Sequence, residues 1–248
     1  MLTSEDGIAT LTLHRPEKLN AIGPDMLVEL DRLMAEIDVD PDVRVVIVTG
    51  SGDRAFSVGA DVNAWTALEP LDMWRRWIRE GHRVLQRLEY LRQPTIAAIN
   101  GYAFGGGLEL ALAADIRIAA DSATFALPET KIGTLPGWAG TTRLPQVIGI
   151  ARSKQMIFSG ARIDAVTAEH WGLVNEVAAP STLIGRCRAV ASEIAANAPI
   201  SVQLAKAAIN GDASAQEAFA GALAATTEDG REGVAAFRQK RPPRFSGR

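Results

Sequence analysis

The sequence is poor in several features, and each shortage excludes a class of protein. Its 248 residues include one cysteine, Cys187, so no intrachain disulfide can form and no oxidising compartment is implied. The three histidines, His14, His82 and His170, form no Cys/His spacing of a zinc site, and structural roles are their default reading, so no metal is expected. Basic and acidic residues nearly balance, for a formal charge of −3, which argues against a dedicated nucleic-acid binder. No apolar run approaches the ~20 residues of a membrane span. The longest, Leu108 to Ala114, is interrupted by Glu109 and closed by Asp115. The first residues carry Glu5 and Asp6 and alternate like a strand, unlike the basic head and apolar run of a signal peptide. The expectation is a soluble cytoplasmic protein, or a matrix protein whose transit peptide has been removed.

Ordinary globular patterning is present. Ile8 to His14 alternates as a strand and is stopped by Pro16. Leu27, Leu30, Leu33, Met34 and Ile37 fall at helical spacing over Pro24 to Asp38, with the proline acceptable in the first turn. Val43 to Thr49 is a β-branched run suited to a buried strand. Gly50 to Asp61 reads as a loop, Asp72 to Arg92 as one long helix, and Thr95 to Ile99, Ile116 to Ala119 and Thr124 to Leu127 as short strands. Beyond Gly133 helical patterns dominate, interrupted by a strand at Leu173 to Val177. The reading is an α/β core over residues 1–200 followed by a helical region over 201–248, whose apolar faces need a partner on the core or on a neighbouring subunit.

Chemistry concentrates in three segments. Asn100 to Leu110 joins a short apolar strand to an apolar helix through Gly105-Gly106-Gly107, with Glu109 in the first turns. Glycines let a ligand touch main-chain atoms, and a helix start offers unpaired N–H groups at a positive dipole end, which suits a developing oxyanion. Ala55 to Asn63 forms a second loop around Gly59-Ala60, and Ala126 to Gly133 brings Glu129 after Pro128. Taken singly, the glycine runs are tight turns, Glu109 a dipole-stabilised helix acid and Glu129 a solvated loop acid. An unpaired charge inside so apolar a helix is costly, however, and asks for a reason.

In order along the chain, His14-Arg15-Pro16-Glu17-Lys18-Leu19-Asn20-Ala21, Phe56 to Asp61, Tyr102 to Asp115, Pro128 to Leu144 and Glu232 to Phe237 resemble the enoyl-CoA hydratase/isomerase (crotonase) superfamily over nearly the whole sequence. The resemblance implies a ββα superhelix core with a helical C-terminal trimerisation region, and a homotrimer or dimer of trimers. It implies an acyl-CoA substrate, with no cofactor beyond the coenzyme A of that substrate. The backbone N–H groups of Ala60 and Gly106 would form the oxyanion hole. Glu109 would activate a water toward the β-carbon, and Glu129 would deliver a proton to the α-carbon. Hydratases carry both carboxylates, whereas the simplest isomerases keep only the one matching Glu129. Val58, Gly59, Asp61 and Val62 would line the CoA or substrate site, and Phe237 and Lys240 would reach the nucleotide, often from a neighbouring subunit.

Two departures stand out. Trp138 and Ala139 occupy positions where the family commonly has small residues and a glycine, and the added bulk is expected to reshape the acyl pocket. Trp65, Trp74 and Trp77 cluster around an arginine-rich stretch from Arg75 to Arg92; the tryptophans offer an aromatic acyl pocket or ordinary packing, the latter expected for at least two of them, and the arginines a solvated helix face or a subunit contact. Hydration of an enoyl-CoA is the leading expectation. Another acyl-CoA isomerisation, decarboxylation or lyase reaction on the same oxyanion hole is the alternative, and a non-catalytic RNA-binding relative is the remote one. Ser57 has no histidine at motif range to make it a hydrolase nucleophile.

Overall fold

The computed structural model describes residues 1–211 and 213–248, with side chains at all of these except 213–215 and 218. Leu2–Glu5 (β1) and Ile8–Leu13 (β2) form an antiparallel hairpin whose turn, Asp6-Gly7, has positive φ at both residues. Such a turn matches the twist of the strands it joins. The chain then alternates between two sheets. Val45–Gly50 (β3), Thr95–Ile99 (β5) and Ile116–Ala120 (β7) extend the first sheet in parallel, and Glu176–Ala178 (β10) closes it. Its order is β1-β2-β3-β5-β7-β10. Ala55–Ser57 (β4), Tyr102–Phe104 (β6), Thr124–Ala126 (β8) and Ile163–Asp164 (β9) make the second sheet, in that order and parallel up to β8. Each turn of the chain thus contributes one strand to each sheet and then a helix, which is the ββα winding expected.

The central strands β3 and β5 are buried along their whole length, as continuous apolar parallel strands must be. The helix Leu183–Ala195 packs across β2, β3, β5 and β7, and Pro24–Val39 packs on Arg79–Glu89. Asp31 of the former takes Arg83 and Arg87 of the latter, and Asp38 takes Arg92, so half of the arginine stretch serves to staple two helices together. The C-terminal helices Pro199–Ile209, Ala213–Thr226 and Glu228–Gln239 pack on one another. They leave Ile209, Phe219, Leu223, Val234 and Phe237 exposed.

Several elements differ from the sequence reading. The Gly50 to Asp61 loop contains β4, too short to show an alternation. The single helix over 72–92 begins as a π-helical segment, Met73–Ile78, before the α-helix Arg79–Glu89. The strand expected at Leu173 to Val177 lies at Glu176–Ala178. A further helix, Gly140–Ile148, was masked by Gly140 at its start and Pro145 inside it.

Candidate active site

The chemistry-bearing segments leave the carboxyl ends of three adjacent parallel strands, β4, β6 and β8, where ligands bind in parallel sheets. After β4 the backbone turns at Gly59, with φ of 89°. A Cβ there would fall 2.7 Å from the Gly106 nitrogen, so only glycine permits this approach. After β6, Gly105 takes φ of 51° and ψ of −128°, a conformation open essentially to glycine alone, and the helix Gly106–Ala113 begins. Ala60 and Gly106 both line a cavity of about 170 Å³. Among the described residues, no acceptor takes either of their N–H groups. A Cβ built on Gly106 would lie 3.4 Å from the Ala60 nitrogen, so the two donors sit side by side.

The His14 to Ala21 segment braces this loop. Leu19 and Asn20 both have positive φ. The buried Asn20 amide donates to Ser51 O and Ala55 O, while its own carbonyl accepts from Ser57 Oγ at 2.7 Å. Val58 N–H donates to Leu19 O, and Ile22 bonds both Gly59 O and Asp61 N. Ser57 is therefore a loop anchor. Asp61 caps the short Val62–Trp65 turn through Asn63 N and pairs with Arg15 at 2.6 Å. Arg15 and the cap hold its carboxyl below the usual range.

Glu109 projects from the first turns of the Gly106–Ala113 helix and is only 2% exposed. Its Oε1 accepts from Trp138 N–H and Gly140 N–H, each at 2.7 Å. Between those two residues Ala139 sits in the left-handed region at φ of 74°, which turns the flanking amides toward one oxygen. Arg143 fixes this turn by donating to Trp138 O at 2.9 Å while pairing with Glu89 at 2.7 Å. Burial pushes the Glu109 pKa up to about 7; the Gly140 amide opposes it, and the charge of Glu129 adds to it.

Glu129 opens a single 3₁₀ turn, Glu129–Ile132, after β8. Its Oε2 is buried and has no hydrogen-bond partner among the described residues. Burial raises its pKa too, with only its own backbone amide opposing. A buried carboxylate oxygen without a donor is costly, so this geometry shifts Glu129 toward the protonated acid.

The structure brings together, around one cavity, Val58, Ala60, Val62, Gly106, Glu109, Glu129 and Trp138 of the residues singled out in the sequence. Gly59 shapes the loop from behind, and Asp61 lies outside the cavity lining. Phe237, 86% exposed, and Lys240, at the left-handed end of the last helix, are not part of this cavity within one chain. Trp65 and Trp77 line the cavity, whereas Trp74 is exposed under Arg75. Sequence reasoning missed Gly81, Arg143 and Glu89, which support Trp138 and Glu109 from distant elements. Arg143 lay within the Pro128 to Leu144 motif, but nothing in the sequence paired it with Glu89.

The comparisons agree with this architecture. The family model for enoyl-CoA hydratase/isomerase matches residues 3–248. The chain is similar to the short-chain-enoyl-CoA hydratase of Clostridium acetobutylicum, at 40% identity over 97% of this chain and 95% of the relative. It is similar to the (E)-benzylidenesuccinyl-CoA hydratase of Thauera aromatica, at 39% identity over 97% and 96%. The crystal structure of an enoyl-CoA hydratase from Bacillus anthracis superposes with a TM-score of 0.96 at 37% identity, covering 100% of this chain and 99% of the other. On fold, motif order and whole-length similarity alike, the chain belongs to the enoyl-CoA hydratase/isomerase family.

Proposed function

We propose that the protein adds water reversibly across the α,β double bond of a 2-enoyl-CoA thioester, giving a 3-hydroxyacyl-CoA. The observation that carries this reading is the convergence on one cavity of two unused backbone amides, the buried Glu109 carboxyl and the half-buried Glu129 carboxyl. The thioester oxygen lies against the Ala60 and Gly106 N–H groups. Negative charge grows on that oxygen as the enolate forms, and preformed donors stabilise it where it appears; losing one such donor costs roughly 2.7–4 kcal/mol in comparable sites. Glu109, ionised, accepts a proton from water as the hydroxyl bonds to the β-carbon. Glu129, protonated, gives its proton to the α-carbon as the enolate collapses. One proton enters Glu109 and one leaves Glu129, so the net change is the addition of one water, and exchange with solvent restores the pair. The two raised carboxyls titrate as a coupled pair, which keeps one proton in the site near neutrality.

A second carboxylate favours hydration over a plain double-bond shift, which needs only one proton carrier. Incubating purified protein with crotonoyl-CoA and following mass for gain of water tests the reading. Turnover that falls sharply in both Glu109→Gln and Glu129→Gln supports it. Double-bond migration without water uptake, or full hydration by either variant, would overturn it. The exposed apolar residues of the C-terminal helices support assembly as a homotrimer or dimer of trimers, with Phe237 and Lys240 of one subunit serving the nucleotide of the next. Among the described residues no helix is long and apolar enough to cross a membrane, and a cytoplasmic setting fits the similarity to bacterial enzymes.

A further inference from the structure

We propose that Trp138, seated on Gly81, is the residue that closes the acyl end of the cavity and restricts this enzyme to short acyl chains. The inference rests on the hydratase reading and adds the substrate class. Trp138 is 2% exposed, and its indole bridges two backbone surfaces. The six-membered edge lies on Gly106, where a Cβ would come within 2.5 Å of Cζ3. The other edge lies on Gly81 of the Arg79–Glu89 helix, where a Cβ would collide with Nε1 and Cε2. Trp77, 7% exposed, packs against the same indole with ring centroids 5.4 Å apart at 51°. These two rings, with Glu109, form the buried floor of the cavity. Ile132 and Leu135 are exposed and mark its mouth.

Coenzyme A is far too large for a space of about 170 Å³, so it stays at the mouth while the carbonyl reaches the Ala60 and Gly106 amides. The acyl chain must then run inward, toward the rings. The volume is below the roughly 300–1,000 Å³ of sites for drug-sized ligands. Close packing gives the floor little room to yield, because both glycines already touch the indole.

The test measures kcat/KM for crotonoyl-, hexenoyl-, octenoyl- and cinnamoyl-CoA in the full-length protein. The expected wild-type profile falls from crotonoyl- to octenoyl-CoA, and cinnamoyl-CoA is poor. Trp138→Ala raises the octenoyl-to-crotonoyl ratio at least tenfold, the scale of one or two methylenes gaining a pocket. Trp138→Phe, which keeps an aromatic ring and so keeps the core filled, gives a smaller shift in the same direction and serves if the alanine variant fails to fold. A flat wild-type profile, or a ratio unmoved in whichever variant folds, would overturn the assignment of Trp138 while leaving hydration intact. Absence of water addition to every ester would instead overturn the hydratase reading itself.

Discussion

Glu109 and Glu129 meet the same cavity from elements built in opposite ways. Glu109 stands on a regular helix, and a second segment, Trp138 to Gly140, folds over it and presents two amides to one of its oxygens. Glu129 stands on a single 3₁₀ turn, and one of its oxygens is buried with no donor to meet it. The first environment lets a carboxylate exist while raising its pKa to about 7, as a base near neutrality requires. The second withholds what a carboxylate needs and so favours the acid. In the proposed mechanism the two carboxyls differ by the backbone N–H groups aimed at each, those of Trp138 and Gly140 at Glu109 and only its own at Glu129.

The largest expected effect breaks both sides of the contrast. Glu109→Gln or Glu129→Gln should lower kcat for hydration by about 10²–10⁴-fold, the usual worth of a positioned acid or base, with KM changing far less. Steady-state kinetics on crotonoyl-CoA checks this. In the wild type, kcat/KM should fall as pH drops through about 7 and Glu109 takes up a proton.

Stability should move the other way. The pKa of Glu109 is raised on folding, from 4.5 to about 7. Its contribution to stability is fully present below pH 4.5 and is lost as pH rises through about 7. Glu109→Gln has no such loss. Relative to the wild type, the variant should gain about 3 kcal/mol across that window and keep that gain above it. Denaturant unfolding at about pH 4 and about pH 8.5 reads the difference. A gain that shrinks with rising pH would mean that Glu109 is stabilised as the anion.

Arg143→Met sharpens the comparison on the Glu109 side alone. It removes a cation that favours the Glu109 anion, and it leaves the Trp138 carbonyl and Glu89 without their partner. The acid limb of the pH–rate profile should move to higher pH. Stability should fall by about 2–3 kcal/mol, somewhat less than for a wholly buried pair because Glu89 is partly exposed. The smallest expected effect is at Ala139. Its left-handed backbone costs an alanine about 1–2 kcal/mol that glycine avoids. Ala139→Gly regains part of that against a more flexible unfolded chain, for a net change within about 1 kcal/mol by thermal melting and with the Glu109 contacts kept.

The sequence exposed the site better than its supports. Glycine turns, paired acids and motif order are local, and the family resemblance they carry named Ala60, Gly106, Glu109 and Glu129. The ββα winding was implied by the same resemblance. What stayed hidden depends on distant contacts. Gly81 reads as an ordinary flaw in a helix until Trp138 is seen resting on it, and Glu89 reads as a surface acid until Arg143 reaches it. The strand Ala55–Ser57 is too short for periodicity to register, and Pro145 concealed the Gly140–Ile148 helix. Phe237 and Lys240 lie apart from the cavity within one chain.

The assignment of base to Glu109 and acid to Glu129 is tested most directly by α-proton exchange in deuterated water with butyryl-CoA, which has no double bond to hydrate. Exchange at the α-carbon needs the amide pair and Glu129 and has no use for a water-activating base. The account predicts that exchange survives in Glu109→Gln and is abolished in Glu129→Gln. Exchange lost in the first variant and retained in the second would reverse the two roles.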